Sequence, residues 1–514
     1  MSKHSFIEGA LILFISGIFV KIIGFLFQIV IIRKIGTEAV GLVNMVFPLY
    51  ITVLVITTAG LPLAISKMVA HQMALDNYKG AVKIFRISLT LLILLSLLIT
   101  VLLIVFSPIL IKLLFKDPRA LLCFYAMLPG IIVVSISSAF RGFFQGLQDM
   151  KPPAISQCFE QVVRITIALL LISHFQQFGI KAIAIALSIS MISGELMGLL
   201  IMWGFYIYRK SKNSKQIFIG KNIQGLPAKK IIGELIAFGF PTTLTRLTSS
   251  LVLTFEASLI PSTLQKSGYT INQAASIYGQ FSGVAITLLT IPTVLTFSLA
   301  TSLVPSISEA EAQGKIASLQ FRSTEALRLT YVFGLPVAVV LFLKATSLSS
   351  LLFNIPEAGI TLRYLAMGAI FLYLVQTSNG ILQGLGLVKI VLFNTFVGAI
   401  IKVFGIIYLV PNPELHINGA AIAFIFSFFA VCLLNLYFIK IKTGFVFKPN
   451  QLIFPLMATL LMGVLIILQT RMLGNYLTDS MNTIISIISS GLIYLILMGL
   501  TNQVNLKMLV KKKD

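Results

Sequence analysis

A chain of 514 residues that is 57% hydrophobic and only 11% charged is no ordinary soluble protein, since soluble domains carry about 25% charged residues. Its net charge of +23 does not mark a nucleic-acid binder. The basic residues sit in short segments between apolar runs, where they orient a membrane protein and meet anionic headgroups.

Charge-free stretches such as 91–106 and 422–438 suit a bilayer, which needs about 20 apolar residues per helical span. The pattern predicts an all-α integral membrane protein with fourteen spans, at 9–32, 39–65, 87–109, 121–146, 154–173, 180–208, 231–259, 277–304, 326–350, 362–386, 389–410, 418–439, 451–470 and 481–500. The first follows a brief polar lead (Lys3, His4, Glu8) and is too long for a signal-peptide core, so it reads as an uncleaved span. Within it Gly17, Lys21, Gly24 and Gln28 share one helical face, with Lys21 at mid-span. Span 2 holds Pro48 and Pro62; later spans hold Pro241, Pro292 and Pro336, each removing a backbone donor. Span 5 carries Glu160 and Arg164 at i and i+4, and Glu195 of span 6 is within reach across the hairpin, which favours a structural salt bridge.

Segment 209–230 holds seven basic residues and no acidic one. Lys and Arg crowd the even-numbered connections generally, so both termini are expected in the cytoplasm. Span 7 then places Thr242, Arg246 and Ser249 on one face, with Arg246 near mid-span, and carries Glu256 further on. Glu256 reads equally as a coupling-ion or proton site and as a helix-end residue at the outer interface. Lys402 lies between Gly398 and Gly405 on one face of span 11, with no acid adjacent.

The segment Gly142-Phe143-Phe144-Gln145-Gly146-Leu147 recurs as Gly380-Ile381-Leu382-Gln383-Gly384-Leu385, displaced by 238 residues, and Lys151 and Arg164 fall on Lys389 and Lys402 at that same shift. Ile65-Ser66 matches Ile307-Ser308, and Arg86 matches Arg328, displaced by 242. An internal repeat of this period groups the spans as six, six and two. The expected organisation is a first six-helix lobe at 1–210, a basic cytoplasmic linker at 211–230, a second lobe at 231–440, and two further helices at 451–500. Six is even, so the repeats are parallel, and two such bundles are expected to rock about an intervening cleft.

An ionisable side chain at mid-bilayer costs several kcal/mol unless it meets water or a partner. Lys21 and Arg246 occupy the first helices of the two repeats, and neither has a carboxylate at i±3 or i±4. They read as a pseudo-symmetric pair lining a wet cleft rather than as packing ion pairs. Glu160, Arg164, Glu195, Glu256 and Lys402 stand as coupling or structural charges. The three cysteines, Cys123, Cys158 and Cys432, are too scattered for a disulfide framework or a metal site. No phosphate-cradling loop or cofactor motif occurs, which argues against an ATP-driven pump, and the short outer connections argue against an enzyme.

The chain resembles the multidrug/oligosaccharidyl-lipid/polysaccharide exporter superfamily, and within it the stage V sporulation protein B-like transporters. The carrying residues are Gly36-x4-Gly41-Leu42, Leu61-Pro62-Leu63-Ala64-Ile65-Ser66-Lys67, Arg141-Gly142 through Gly146, Glu160-Gln161-Val162-Val163-Arg164, Gly194-Glu195, Pro241-Thr242-Thr243 through Arg246, Glu256, and Leu303 through Glu309. The resemblance implies V-shaped six-helix lobes, cavity cations at Lys21 and Arg246, and a lipid-tail groove at the last two helices. The implied activity is flipping of an undecaprenyl-linked saccharide, such as lipid II or a polysaccharide unit, across a bacterial plasma membrane by a protein acting as a monomer. Cell-wall synthesis proteins are possible companions. The rivals are a multidrug exporter of the same superfamily, which would carry acidic cavity residues, and a non-transporting component of envelope assembly.

Overall fold

A computed structural model describes residues 3–58, 60–212, 227–445, 449–474 and 476–501; the side chains of 3–11, 211, 212, 241, 242 and 245 are outside that description. Most of the expected basic linker thus lies outside the described residues. The secondary structure of the described residues is entirely helical, as suits spans whose backbone polar groups must be satisfied within the segment when no water is present.

Two compact units divide the chain. The first comprises Met1–Ser262 and Ile271–Gly279, the second Thr263–Thr270 and Gln280–Asp514. The helices of the first unit are α1 (Lys3–Ile35), α2 (Thr37–Thr58), α3 (Leu61–Ala74), α4 (Tyr78–Leu114), α5 (Arg119–Gly146), α6 (Lys151–Phe175), α7 (Ile180–Lys212), most of α8 (Ala228–Lys266) and α9 (Ile271–Gly279). The second unit continues through a π-helical turn (Gln280–Ala285) into α10 (Ile286–Thr290), α11 (Thr293–Ala312), α12 (Ile316–Leu343), α13 (Ala345–Phe353), α14 (Ala358–Met367), α15 (Ala369–Gly384), α16 (Val388–Leu409), α17 (Ile417–Thr443), α18 (Pro449–Leu473) and α19 (Asp479–Leu500).

Twelve of the described helices are long and apolar enough to cross a membrane, and two bent pairs raise the number to fourteen. The bent pairs supply the predicted spans 8 and 10. The first bends by 56° between Thr290 and Thr293, where Pro292 removes a backbone donor. The second bends by 55° between Met367 and Ala369, where Gly368 lets Ile425 press against the backbone. Pro62 lies within the span Thr37–Ala74, as expected, but it interrupts no helix: the chain turns at Gly60 (φ 63°), and Pro62 occupies the first turn of α3, where its missing N–H would be unpaired anyway.

The repeat is carried by glycines at helix crossings, and its register differs from the one the sequence suggested. A Cβ on Gly142 would meet the Pro62 carbonyl at 2.6 Å, and one on Gly380 would meet the Ala300 carbonyl at 2.7 Å. Gly146 likewise abuts Ser66 and Val69, and Gly384 abuts Val304 and Ile307. Every one of these partners is 238 residues from its counterpart. Helix starts agree, at Tyr78 and Ile316 for α4 and α12. The 242-residue match of Ile65-Ser66 with Ile307-Ser308 was therefore shifted by one helical turn, an error that similar apolar side chains at i and i+4 invite.

Gly41 and Gly279 are also 238 apart, and they touch. A Cβ on either would collide with the backbone of the other's helix, each lying 3.0 Å from the partner glycine's nitrogen. Thr37 and Ser276 share a hydrogen bond of 2.9 Å beside them. The crossing of α2 on α9 is thus a reciprocal backbone contact of the kind small residues allow in membranes.

The core of the first unit lies among α3, α4, α5 and α7, where Phe85, Phe140, Phe143 and Tyr206 stack edge-on and tilted. Ile231 and Leu235 of α8 join it. In the second unit, α18 and α19 pack on α12 through Val332, Ala458, Met462, Ile466, Tyr494 and Met498. Pro336 cannot donate to the Val332 carbonyl one turn before it, and the Tyr494 hydroxyl donates to that oxygen at 2.6 Å instead. Tyr494→Phe is expected to destabilise the second unit by about 1–3 kcal/mol, the cost of an orphaned buried acceptor. Thermal melting of the purified protein tests this, and an unchanged melting point would show that another donor takes over. Truncation before α18 would strand the same carbonyl and uncover the cluster around Val332.

Candidate functional site

The charges of α6 and α7 form one cluster in the first unit. Arg164 Nη2 lies 2.6 Å from Glu160 Oε1 and 3.6 Å from Glu195 Oε1. Gly194 makes this possible, since its bare Cα lets the Glu160 carbonyl and the Arg164 stem approach α7 closely. Gln161 accepts a further bond from Arg164 at 3.4 Å. The salt bridge read from the i,i+4 spacing is present, and Glu195 joins it across the hairpin. Sequence reasoning missed Arg141 of α5, which lies within electrostatic reach of Glu195. It also missed Tyr50 of α2, within reach of Glu195, Arg164 and Glu160. The Nε atoms of Arg141 and Arg164 are buried and lack hydrogen-bond partners among the described residues. Arg141 immediately precedes the repeated segment that begins at Gly142, and a cation inside an apolar span was the available signal.

Lys21 and Arg246 differ from this cluster in setting. Both side chains are exposed, each near the middle of a long helix, α1 and α8. Helix α1 packs chiefly on α6, and its polar stripe faces that helix: a Cβ on Gly24 would sit 3.3 Å from Gln161 Nε2. Gln28 on the same stripe is half-buried, and both Lys21 and Gln28 have further interactions. On α8, Ser249 is exposed beside Arg246, whereas the side chain of Thr242 lies outside the described ones. The opposite face of α8 is anchored: Thr254 bonds to Thr52 of α2 at 2.9 Å, and Ser258 donates to the Leu114 carbonyl. Glu256 is 6% exposed and within electrostatic reach of Tyr278, which places it inside the first unit's packing.

Lys402 of the second unit stands 238 residues after Arg164, and it lies beside aromatic rings. Its ammonium lies 4.2 Å from the Phe424 ring centroid and 5.7 Å from that of Phe428. Gly398 and Gly405 bring α16 against α17 on either side of it. The positions equivalent to Glu160 and Glu195 are Gly398 and Leu433, and the ammonium lies within cation–π range of the Phe424 ring.

Long apolar helices, two of the spans bent, define a multi-pass integral membrane protein with charged side chains inside its helices. Residues 6–311 match the polysaccharide biosynthesis protein family and 282–407 match the MatE family; the chain belongs to the polysaccharide biosynthesis protein family. Stage V sporulation protein B of Bacillus subtilis (strain 168) is 34% identical over 435 residues, covering 85% of this chain and 83% of that protein. Lipid II flippase MurJ of the same organism is 24% identical over 500 residues, covering 92% and 90%. Among solved structures, a lipid II flippase MurJ in an inward closed conformation has the same fold, with a TM-score of 0.72 at 15% identity over 96% of this chain and 99% of that one. An inward-facing multidrug resistance MATE family transporter gives 0.68 at 16% identity over 83% and 94%.

Proposed function

We propose that the protein flips a polyprenyl-linked saccharide precursor from the inner to the outer leaflet, with its anionic diphosphate held by Lys21 and Arg246. The observation that carries this reading is the exposure of two cations near the middles of α1 and α8. A cation at that depth is costly in lipid and is stabilised by water or an anion. Gln28, Thr242 and Ser249 supply neutral hydrogen-bonding groups on the same two helices. The relatives named for sporulation and for lipid II flipping favour an envelope saccharide over a drug, and a cationic drug would be repelled by this pair. Glu160, Glu195 and Arg164 act as a structural brace for α6 and α7. The exposed basic residues Lys79, Lys83 and Arg86 line a recess of about 380 Å³ at the start of α4, a place for anionic lipid headgroups. The polyprenyl chain stays in lipid beside α18 and α19.

Transport of a fluorescent polyprenyl diphosphate-linked sugar in proteoliposomes tests the reading; vesicles holding the purified protein that flip it no faster than empty ones would overturn it. Orientation has its own test. Gly268 has φ +95° and resists a side chain, so the outer reporter cysteine belongs at the exposed Lys266 and the inner one at Lys229. In a Cys158→Ser background, an impermeant thiol reagent applied to intact cells is expected to label the first and spare the second. The reverse pattern would invert the topology.

A further inference from the structure

The second unit carries a neutral, amide-lined recess that no charge in the chain explains. It lies between α11 and α15, has a volume of about 200 Å³, and is lined by Phe297, Thr301, Gln376, Asn379 and Gln383, with Ala300, Val304 and Gly380 as its floor. Gly380 lets the two helices meet at backbone distance there. The amides fall at i, i+3 and i+7 on α15, one helical face.

Two of them are held from behind. Gln376 Oε1 accepts from Thr296 at 2.7 Å, and Asn379 Oδ1 accepts from Asn435 at 2.9 Å. Asn435 is itself fixed by Asn394, at 2.8 Å, and by Ser378, at 2.9 Å. The amide nitrogens of Gln376 and Asn379 have no hydrogen bond among the described residues, and Gln383 is exposed and makes none at all among them. Phe297 presents an aromatic face, 56% exposed, at the edge of the recess.

Unpartnered amides are not stable against acyl chains, so this face meets water or a polar ligand. A phosphate is disfavoured because no cation lines the recess. The equivalent stripe of the first repeat reads Ser138, Arg141 and Gln145; the second repeat has exchanged its one cation for an amide. Convergent N–H donors beside an aromatic ring suit the neutral oxygens and the apolar face of a pyranose. The volume is below the about 300–1,000 Å³ of pockets for whole drug-sized ligands, which limits the occupant to one ring.

We propose that this recess binds a single neutral sugar ring of the lipid-linked substrate, with Gln376, Asn379 and Gln383 donating to its hydroxyl or N-acyl oxygens and Phe297 stacking on its face. The proposal rests on the flippase reading and adds to it the chemical class that the second unit recognises. Binding to the full-length protein would be measured for a polyprenyl diphosphate bearing one N-acetylhexosamine and for the same lipid without sugar. Wild type is expected to favour the sugar-bearing lipid by at least about 10-fold, as two or more added hydrogen bonds imply. Gln383→Leu and Asn379→Leu are expected to bring that ratio close to one. Gln383 has no described protein partner to lose, so its variant keeps the fold even where Asn379→Leu weakens the Asn435 network. A wild-type ratio near one, or variants that leave the ratio intact, would overturn the sugar subsite. If neither lipid binds, the flippase reading falls and the subsite with it. If the bare lipid binds in a Lys21-dependent way while the sugar adds nothing, the subsite alone falls.

Discussion

Alanine in place of Arg164 is expected to lower the stability of the protein by about 3–5 kcal/mol, because it leaves two carboxylates in a membrane-embedded bundle without their shared cation. Glu160 and Glu195 reach Arg164 at 2.6 Å and 3.6 Å, with side chains only 15% and 23% exposed. Removing the guanidinium turns an attraction for each into a repulsion between them, and Arg141 alone then faces Glu195. Arg164→Lys keeps the charge but loses the fork that serves two acids at once, so it should recover part of the loss. Glu195→Gln added to Arg164→Ala should also recover part, since one stranded charge is removed. Melting temperatures of the purified single and double variants form the test. An Arg164→Ala protein that melts with wild type, yet transports poorly, would move this cluster from brace to coupling site.

The span pattern was legible in the sequence because apolar length is a direct statement about bilayer thickness. Spans 8 and 10 were found as single stretches, but their bends at Pro292 and Gly368 depend on what packs at the break, which no window of hydropathy records. The repeat was visible in Gly142 and Gly380, whose neighbours are spaced alike. Its register across α3 and α11 was read one turn out, because Ile-Ser pairs look alike and only the glycine contacts fix the true equivalence. Among the charges, spacing was enough for Glu160 and Arg164, which sit on one helix. Partners contributed from other helices were out of reach: the two phenylalanines over Lys402 are more than twenty residues away in sequence, and the Tyr494 bond to Val332 spans 162. The amide recess was missed for a different reason. Single Gln and Asn residues carry no charge penalty large enough to stand out from an apolar helix.

Lys21→Ala and Arg246→Ala are expected to reduce flipping by about 30-fold or more each, while leaving the melting temperature near that of wild type. The contrast with Arg164 follows from setting. Both cations are exposed side chains near the middle of long helices, whereas the Arg164 side chain is enclosed between two carboxylates, and an exposed cation at that depth gains most from water or an anion. An anionic diphosphate is such a partner, and losing one charge-assisted contact of this kind is worth about 2–5 kcal/mol. Arg246→Lys should retain partial transport, since a point charge still attracts phosphate but cannot grip it at two oxygens. Lys21→Arg should transport at least as well as wild type for the converse reason. Rates in proteoliposomes and melting curves on the same preparations separate the outcomes. A variant that melts early and transports poorly would make its cation a structural partner. One that stays stable and transports normally would remove it from the path of the substrate.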